Sequence, residues 1–240
     1  MALDDRIAGE ILDAARAALA RPTRFEIGEN SMFTVEDAIY ISKRLQLHHS
    51  ITNQPLNKEA FEYFLVDVFT RKGLPAEKVD RRDYPGEDVR IDTEKWSLKT
   101  ETGKDTRPDR IHFTKFMECA WQKDYNSPSD YIEDAVQRIL SHLSNYDRIL
   151  TLRFIQSSGA YEIVEVPKSL VQAVQYVEED QLSLRTKRGG ITMYLESTRN
   201  KGIRFRFDGS DDKLVLTGIP VARCIRHLKI LGSNHLLNGD

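Results

Sequence analysis

The segment from Pro85 to Lys104, PGEDVRIDTEKWSLKTETGK, constrains the fold of this chain more than any other. A proline-glycine turn leads into two short alternating runs, which predicts a β-hairpin. Successive side chains of an extended strand point to opposite faces, so Ser97, Lys99 and Glu101 share one face of the second arm and Trp96, Leu98 and Thr100 share the other. The apolar face packs, and the polar face then carries a lysine and an acid in fixed register. Asp88, just after the turn, adds a second acid to the same neighbourhood.

Helical signals come before the hairpin. Ile7, Ile11, Leu12, Ala15 and Leu19 repeat at helical spacing from Asp4 to Leu19, and Pro22 stops them. Thr34 with Asp37 three residues on has the form of a capping box and opens a second helix through about Leu47. Asn57 caps a third, whose stripe is Phe61, Phe64, Leu65 and Val68 and whose terminator is Gly73; Glu62 lies inside it beside the stripe.

After a polar loop from Thr102 to Asp109, the spacing of Phe113, Phe116, Met117 and Ala120 predicts a helix, and Tyr131 to Leu143 predicts another behind Ser127, Pro128 and Ser129. RILTLRFI (Arg148 to Ile155) and YEIVEV (Tyr161 to Val166) read as strands joined at Ser157, Ser158 and Gly159, and Pro167 opens a short helix. β-like runs follow at Gln181 to Arg185, Ile191 to Leu195, Ile203 to Phe207 and Lys213 to Leu216, with turns at Gly189-Gly190 and Gly209. The expected fold class is a mixed α/β core, a mixed sheet flanked by helices with extra strands at the C-terminal end. No linker interrupts the 240 residues, so one domain over 1–240 is expected, with a helical region at 1–50 and a β-rich part at 176–240.

Composition narrows the function classes. The longest apolar runs are too short to cross a bilayer, and acids near the N-terminus argue against a secretory signal, so a cytoplasmic location is expected. Cys119 and Cys224 are far apart, which suits two buried thiols better than a disulfide framework or a zinc site. The formal net charge of -2 does not advertise a nucleic-acid binder, but the distribution is uneven. Between Arg185 and Arg206, Arg185, Lys187, Arg188, Arg199, Lys201, Arg204 and Arg206 face only Glu196, enough local charge to hold a phosphate backbone. The pair His48-His49 lacks a third ligand at suitable spacing, His142 and His227 read as packing or surface residues, and Trp96 and Trp121 read as core anchors.

Hydrolysing a phosphodiester requires charge neutralisation and a nucleophilic water, and a carboxylate-held Mg²⁺ supplies both. Asp88 and a second acid suit that cation, and Lys99 suits the work of orienting or deprotonating water. This arrangement resembles the PD-(D/E)xK nucleases. Asp88 matches their first acid, displaced two positions from its proline, while Ser97 stands where an acid is usual. Glu101 is the first candidate to replace that acid and Glu62 the second. The resemblance also implies that the Leu98 backbone carbonyl is a metal ligand.

A wider set of segments, PGEDVRID, LKTE, FTKFME, HLSNYDRILTLRF, VPKSL and FDG ahead of Lys213-Leu214, is similar to type II restriction endonucleases of this superfamily. That resemblance implies a catalytic core over 51–175 and a homodimer cutting both strands of a GC-rich palindrome, with CCCGGG as the implied site and 5′-phosphate ends. It also implies a restriction-modification partner, a DNA methyltransferase that shares the site without having to bind this chain. Lys104, Arg107, Arg110, His112 and Lys115 are the expected base contacts on double-stranded DNA, and Arg204 and Arg206 the expected phosphate contacts. Two other readings stay open: a structure-specific repair or resolving nuclease, and a DNA-binding module that has lost catalysis.

Overall fold

The computed structural model describes residues 2–79, 86–184, 191–195, 202–208 and 212–232. Its elements in chain order are α1 (Ala2–Ala20), β1 (Phe25–Ile27), α2 (Val35–Ile51), α3 (Lys58–Arg71), β2 (Ala76–Lys78), β3 (Val89–Ile91), β4 (Glu94–Glu101) and β5 (Arg110–Glu118). A helical stretch follows, made of a turn at Pro128–Asp130, a π-helical turn at Tyr131–Ala135 and α4 (Val136–Ser144). Then come β6 (Arg148–Ile155), β7 (Ala160–Glu165), α5 (Lys168–Gln172), β8 (Leu182–Leu184), β9 (Ile191–Tyr194), β10 (Arg204–Asp208), β11 (Lys213–Pro220) and β12 (Ile225–Ile230). Pro85, Arg185, Lys187, Arg188, Gly189, Gly190, Glu196, Arg199, Lys201 and Gly209, singled out above, lie outside the described residues.

Two sheets, one mixed and one antiparallel, organise the chain. A seven-stranded sheet has the order β1-β12-β7-β6-β4-β3-β2, and a five-stranded sheet has the order β5-β11-β10-β9-β8. The β4–β6 pair is parallel, with Lys99 opposite Thr151 and Glu101 opposite Arg153, whereas β3–β4 and β6–β7 are antiparallel. A parallel pair needs a long crossover, and the passage through β5 and α4 provides it. This is a mixed α/β fold with helices flanking the sheet.

The helix caps carry α2 and α3. Thr34 and Asp37 form a reciprocal capping box on α2, and Asn57 accepts from the Ala60 amide at the start of α3; each such cap is worth about 1 kcal/mol. Gly73, with φ of 78°, ends the α3 segment in the left-handed conformation that glycine tolerates. Lys72 then ties α3 to α2 through Asp37 at 2.8 Å.

The faces of β4 divide as its alternation demands. Trp96 and Leu98 join Phe61, Phe64, Leu65, Leu150 and Leu152 in one core, packed under α2 and α3. A second core, with Phe113, Phe116, Ile139, Leu143, Phe205 and Leu216, fills the space between the other side of the large sheet, α4 and the small sheet. Ser97, Lys99 and Glu101 therefore look away from α2 and α3.

One expectation fails. The run carrying Phe113, Phe116 and Met117 is strand β5 rather than a helix, and Ala120 opens a short 3-10 turn after it. The pairing explains the misleading spacing. Phe113 faces Leu216 and Met117 faces Leu214, so β5 carries two extra residues there, and Thr114 and Lys115 both bulge into solvent. The insertion turns a period of two into an apparent period of three. A second irregularity, on β11, falls at Gly218, where φ is 79° and an added Cβ would lie 2.5 Å from the Gly202 carbonyl oxygen. Strands β1, β2 and β12 were not anticipated. Among the described residues no helix is long and apolar enough to cross a membrane.

Candidate active site

Asp88 sits where β3 and β4 begin to diverge. Its backbone amide donates to Trp96 O at 2.8 Å, continuing the ladder, and its side chain caps the next step of β4. The Leu98 amide donates to Asp88 Oδ2 at 2.6 Å and Ser97 Oγ donates to the same oxygen at 3.4 Å. Ser97 thus serves as a supporting donor to the acid. The other carboxylate oxygen accepts from Lys58 Nζ at 2.6 Å.

Lys58, in the first turn of α3, reaches two acids. Besides Asp88 it lies 3.6 Å from Glu62 Oε1, one turn along the helix, and Lys78 Nζ approaches Glu62 Oε2 at 3.4 Å from β2. Glu62 is 8% exposed. Burial raises its pKa first and the Asp88 charge adds to this, opposed by the ammonium groups of Lys58 and Lys78. Two carboxylates close enough to repel are held together by the Lys58 ammonium between them.

Lys99 comes from the opposite face of β4. Its Nζ donates to Phe116 O at 3.4 Å, and burial brings its pKa down to about 8, with Asp88 pulling the other way and Lys58 and Lys115 reinforcing the fall. Asp88 is thus electrostatically coupled to both Glu62 and Lys99. The nearby His142 ring packs edge-on to Phe116; burial, and then Lys99, lowers its pKa to about 4, so it is neutral at physiological pH.

Glu101 has other partners. Arg153 is fully buried between its strand neighbours, with Nε 2.8 Å from Glu101 Oε2 and Nη1 2.9 Å from Glu162 Oε2. Its Nη2 donates to Arg110 O at 2.7 Å and to Arg107 O, and Glu101 Oε1 accepts from the His112 amide at 3.2 Å. The Glu101–Arg153–Glu162 row spans β4, β6 and β7 and pins the loop between β4 and β5.

That loop and strand β5 after it carry five of the expected DNA contacts. Lys104 and Arg107 are exposed, with Arg107 3.6 Å from Asp109; Arg110 donates to Gly218 O at 3.0 Å; His112 Nδ1 accepts from the Gly218 amide at 3.4 Å. Lys115 is exposed on the β5 bulge, paired with Glu118. Burial first, and then the Arg204 charge on β10, lowers the His112 pKa, and Arg206 lies 3.5 Å from Asp208.

The histidine pair is structural: His49 bonds the Tyr161 hydroxyl at 2.9 Å and His48 bonds Gln54 O at 2.8 Å. His227 is buried against Glu165 at 3.0 Å, and Trp96 is 2% exposed in the first core. Sequence reasoning missed Lys58, Lys78 and Arg153. The first had a local signal, a lysine four residues ahead of an acid on a helix; the third had one too, an arginine inside the apolar run RILTLRFI.

Among the described residues no group of three or more His, Cys, Asp or Glu side chains converges. Asp88 and Glu62, brought together on Lys58, offer carboxylate oxygens of the kind that suits a hard divalent cation that keeps several waters. The Lys58 ammonium between the two carboxylates marks where positive charge is favoured.

Comparison with known proteins bears on the same residues. The sequence model of a family described as SmaI, type II site-specific deoxyribonuclease, matches residues 10–225, a span that contains every candidate site residue above. The type II restriction enzyme SmaI of Serratia marcescens is 32% identical over 193 residues, covering 77% of this chain and 74% of that enzyme. No solved structure matches.

Proposed function

From the premise that this chain belongs to the SmaI family of type II site-specific deoxyribonucleases, we propose that it cuts both strands of a GC-rich palindrome in a Mg²⁺-dependent reaction, with Asp88, Glu62 and Lys99 at the active site. As a restriction endonuclease it acts on double-stranded DNA. The implied site is CCCGGG and the implied ends are 5′-phosphate and 3′-hydroxyl. The observation that carries this reading is Lys58 held between the Asp88 and Glu62 carboxylates, at 2.6 and 3.6 Å, just beyond the strand that carries Lys99.

Of the two acids that could replace the one missing at Ser97, we choose Glu62. Its carboxylate shares a lysine with Asp88, whereas Glu101 is bound by Arg153 and the His112 amide. Asp88, Glu62 and the Leu98 carbonyl would hold the metal. A bound divalent cation neutralises charge developing on the phosphate and makes a water acidic enough to serve as nucleophile near pH 7. The Leu98 amide and Ser97 hydroxyl keep Asp88 aimed. Lys99, with its pKa near 8, is able to hold or accept a proton from the attacking water at Nζ. Water attacks phosphorus in line, the bond to the 3′ oxygen breaks, and that oxygen leaves with a proton.

Lys104, Arg107, Arg110, His112 and Lys115 are the proposed base-reading residues, with Arg204 and Arg206 on phosphates. A palindrome presents two equivalent half-sites, so the active form is a symmetric homodimer. The setting is the cytoplasm, with a methyltransferase that protects the same site. Plasmid digestion with Mg²⁺ followed by sequencing of the ends tests the reading. Discrete fragments ending at one palindrome are expected, and Asp88→Ala or Lys99→Ala should bind DNA without cutting it. Normal turnover in either variant would mean the active site lies elsewhere.

A further inference from the structure

Helix α1 exposes an apolar stripe. Ile7, Ile11, Leu12 and Leu19 are 45%, 62%, 55% and 42% exposed, yet with Ala8, Ala15 and Ala18 they fall along one side of the helix. Helix α2 covers only the C-terminal end: Ala18 is buried, and Lys43 and Gln46 bond the carbonyls of Leu19, Arg21 and Pro22. Val35 and Ile39, on the same α2 face as Lys43 and Gln46, are also exposed, at 53% and 42%. Large aliphatic side chains clustered in one stripe mark an interaction surface more strongly than the same number scattered singly.

The charges on α1 identify the occupant. Residues 4–10 hold Asp4, Asp5 and Glu10 against Arg6, whereas residues 11–21 hold Asp13 against Arg16 and Arg21. One end of the helix is net acidic and the other net basic. Asp5 and Arg16, eleven residues apart, lie within about 20° of each other around the axis, on one edge of the stripe. An antiparallel pairing of two such helices sets opposite charges together at both ends and also opposes the helix dipoles, while a parallel pairing sets like against like. An anionic membrane is disfavoured, since interfacial helices carry basic polar faces and this one has four acids against two arginines within Ala2–Ala20.

We propose that the uncovered face of α1 docks a second copy of this chain, the two helices running antiparallel across a two-fold axis with Asp5 of each copy beside Arg16 of the other. This rests on the two-copy reading above and names the surface that forms the pair. Light scattering on the full chain without DNA tests it. The parent should show twice the 27.6 kDa chain mass. Leu12→Glu and Ile11→Glu, at solvent-facing positions that leave both cores untouched, should retain the parent's circular dichroism, show the single-chain mass, and nick supercoiled plasmid instead of linearising it. Asp5→Arg and Arg16→Asp should each weaken the dimer several-fold, and the two together should restore it. A monomeric parent, a dimeric Leu12→Glu, a double charge swap weaker than either single one, or a parent monomer that binds anionic vesicles through α1 would overturn the inference. Because mass is read without DNA, that outcome is separate from the cleavage assays that test the nuclease reading.

Discussion

Lys58 Nζ stands 2.6 Å from Asp88 Oδ1, so the first turn of α3 delivers a cation to the carboxylate that ends the ladder at β3. A positive charge there competes with any divalent ion bound by Asp88. Removing it should therefore tighten metal binding. Unit charges at contact near a protein surface interact by several kcal/mol, and the exposure of Lys58 discounts that to about 1 kcal/mol. Lys58→Met should accordingly lower the Kd for Mn²⁺ or Ca²⁺ by about fivefold in calorimetry without DNA. Unchanged or weaker binding would show that Lys58 does not stand in for the ion.

The two candidate acids separate by what they support. Glu62→Gln removes a charge that burial disfavours and should leave the urea midpoint unchanged or raised while cutting cleavage by about a hundredfold or more. Glu101→Gln weakens the hold on buried Arg153 and should cost on the order of 1–3 kcal/mol of stability, with a smaller loss of turnover per folded molecule. The opposite pattern would return the metal-ligand role to Glu101.

Lys99 predicts a pH signature. Its pKa falls from an ordinary 10.5 to about 8 in the fold, chiefly through burial. Between those values the unfolded chain binds the proton that the folded chain has lost, so this group's destabilising effect is full below pH 8 and fades as pH rises toward 10.5. Lys99→Met should then be inactive yet more stable than the metal-free parent at pH 7, by about 2–3 kcal/mol. The difference should shrink in urea titrations above pH 8. A variant less stable than the parent at pH 7 would refute the buried-charge account.

Those sites were legible to different degrees. Thr34, Asp37, Asn57 and Gly73 announce α2 and α3 because capping is a local interaction, readable from neighbours in sequence. The β4 alternation likewise places Trp96 and Leu98 in a core and leaves Lys99 to the opposite face. Strand β5 was illegible because a two-residue insertion opposite Leu214 and Leu216 gives its aromatic residues helical spacing. The partners of Glu101 and Glu62 were illegible for a related reason. Arg153 meets Glu101 through the pairing register of β4 with β6, and Lys78 meets Glu62 through the packing of α3 against β2, neither of which is local in sequence.

Arg153 tests whether the buried ionic row serves specificity or stability. Arg153→Met leaves Glu101 and Glu162 buried without their shared partner and should cost about 3–5 kcal/mol. Replacing all three members with apolar residues of similar volume should recover much of that loss, since a buried ionic group is often worth no more than good packing. The loop, however, would lose the donors to the Arg107 and Arg110 carbonyls and the acceptor for the His112 amide. The triple variant should therefore fold, cut its own site more slowly, and discriminate less well against sites with one mismatched base pair. The ratio of cleavage rates on matched and mismatched duplexes measures this. A ratio equal to the parent's would reduce the Glu101–Arg153–Glu162 row to a structural feature with no part in reading DNA.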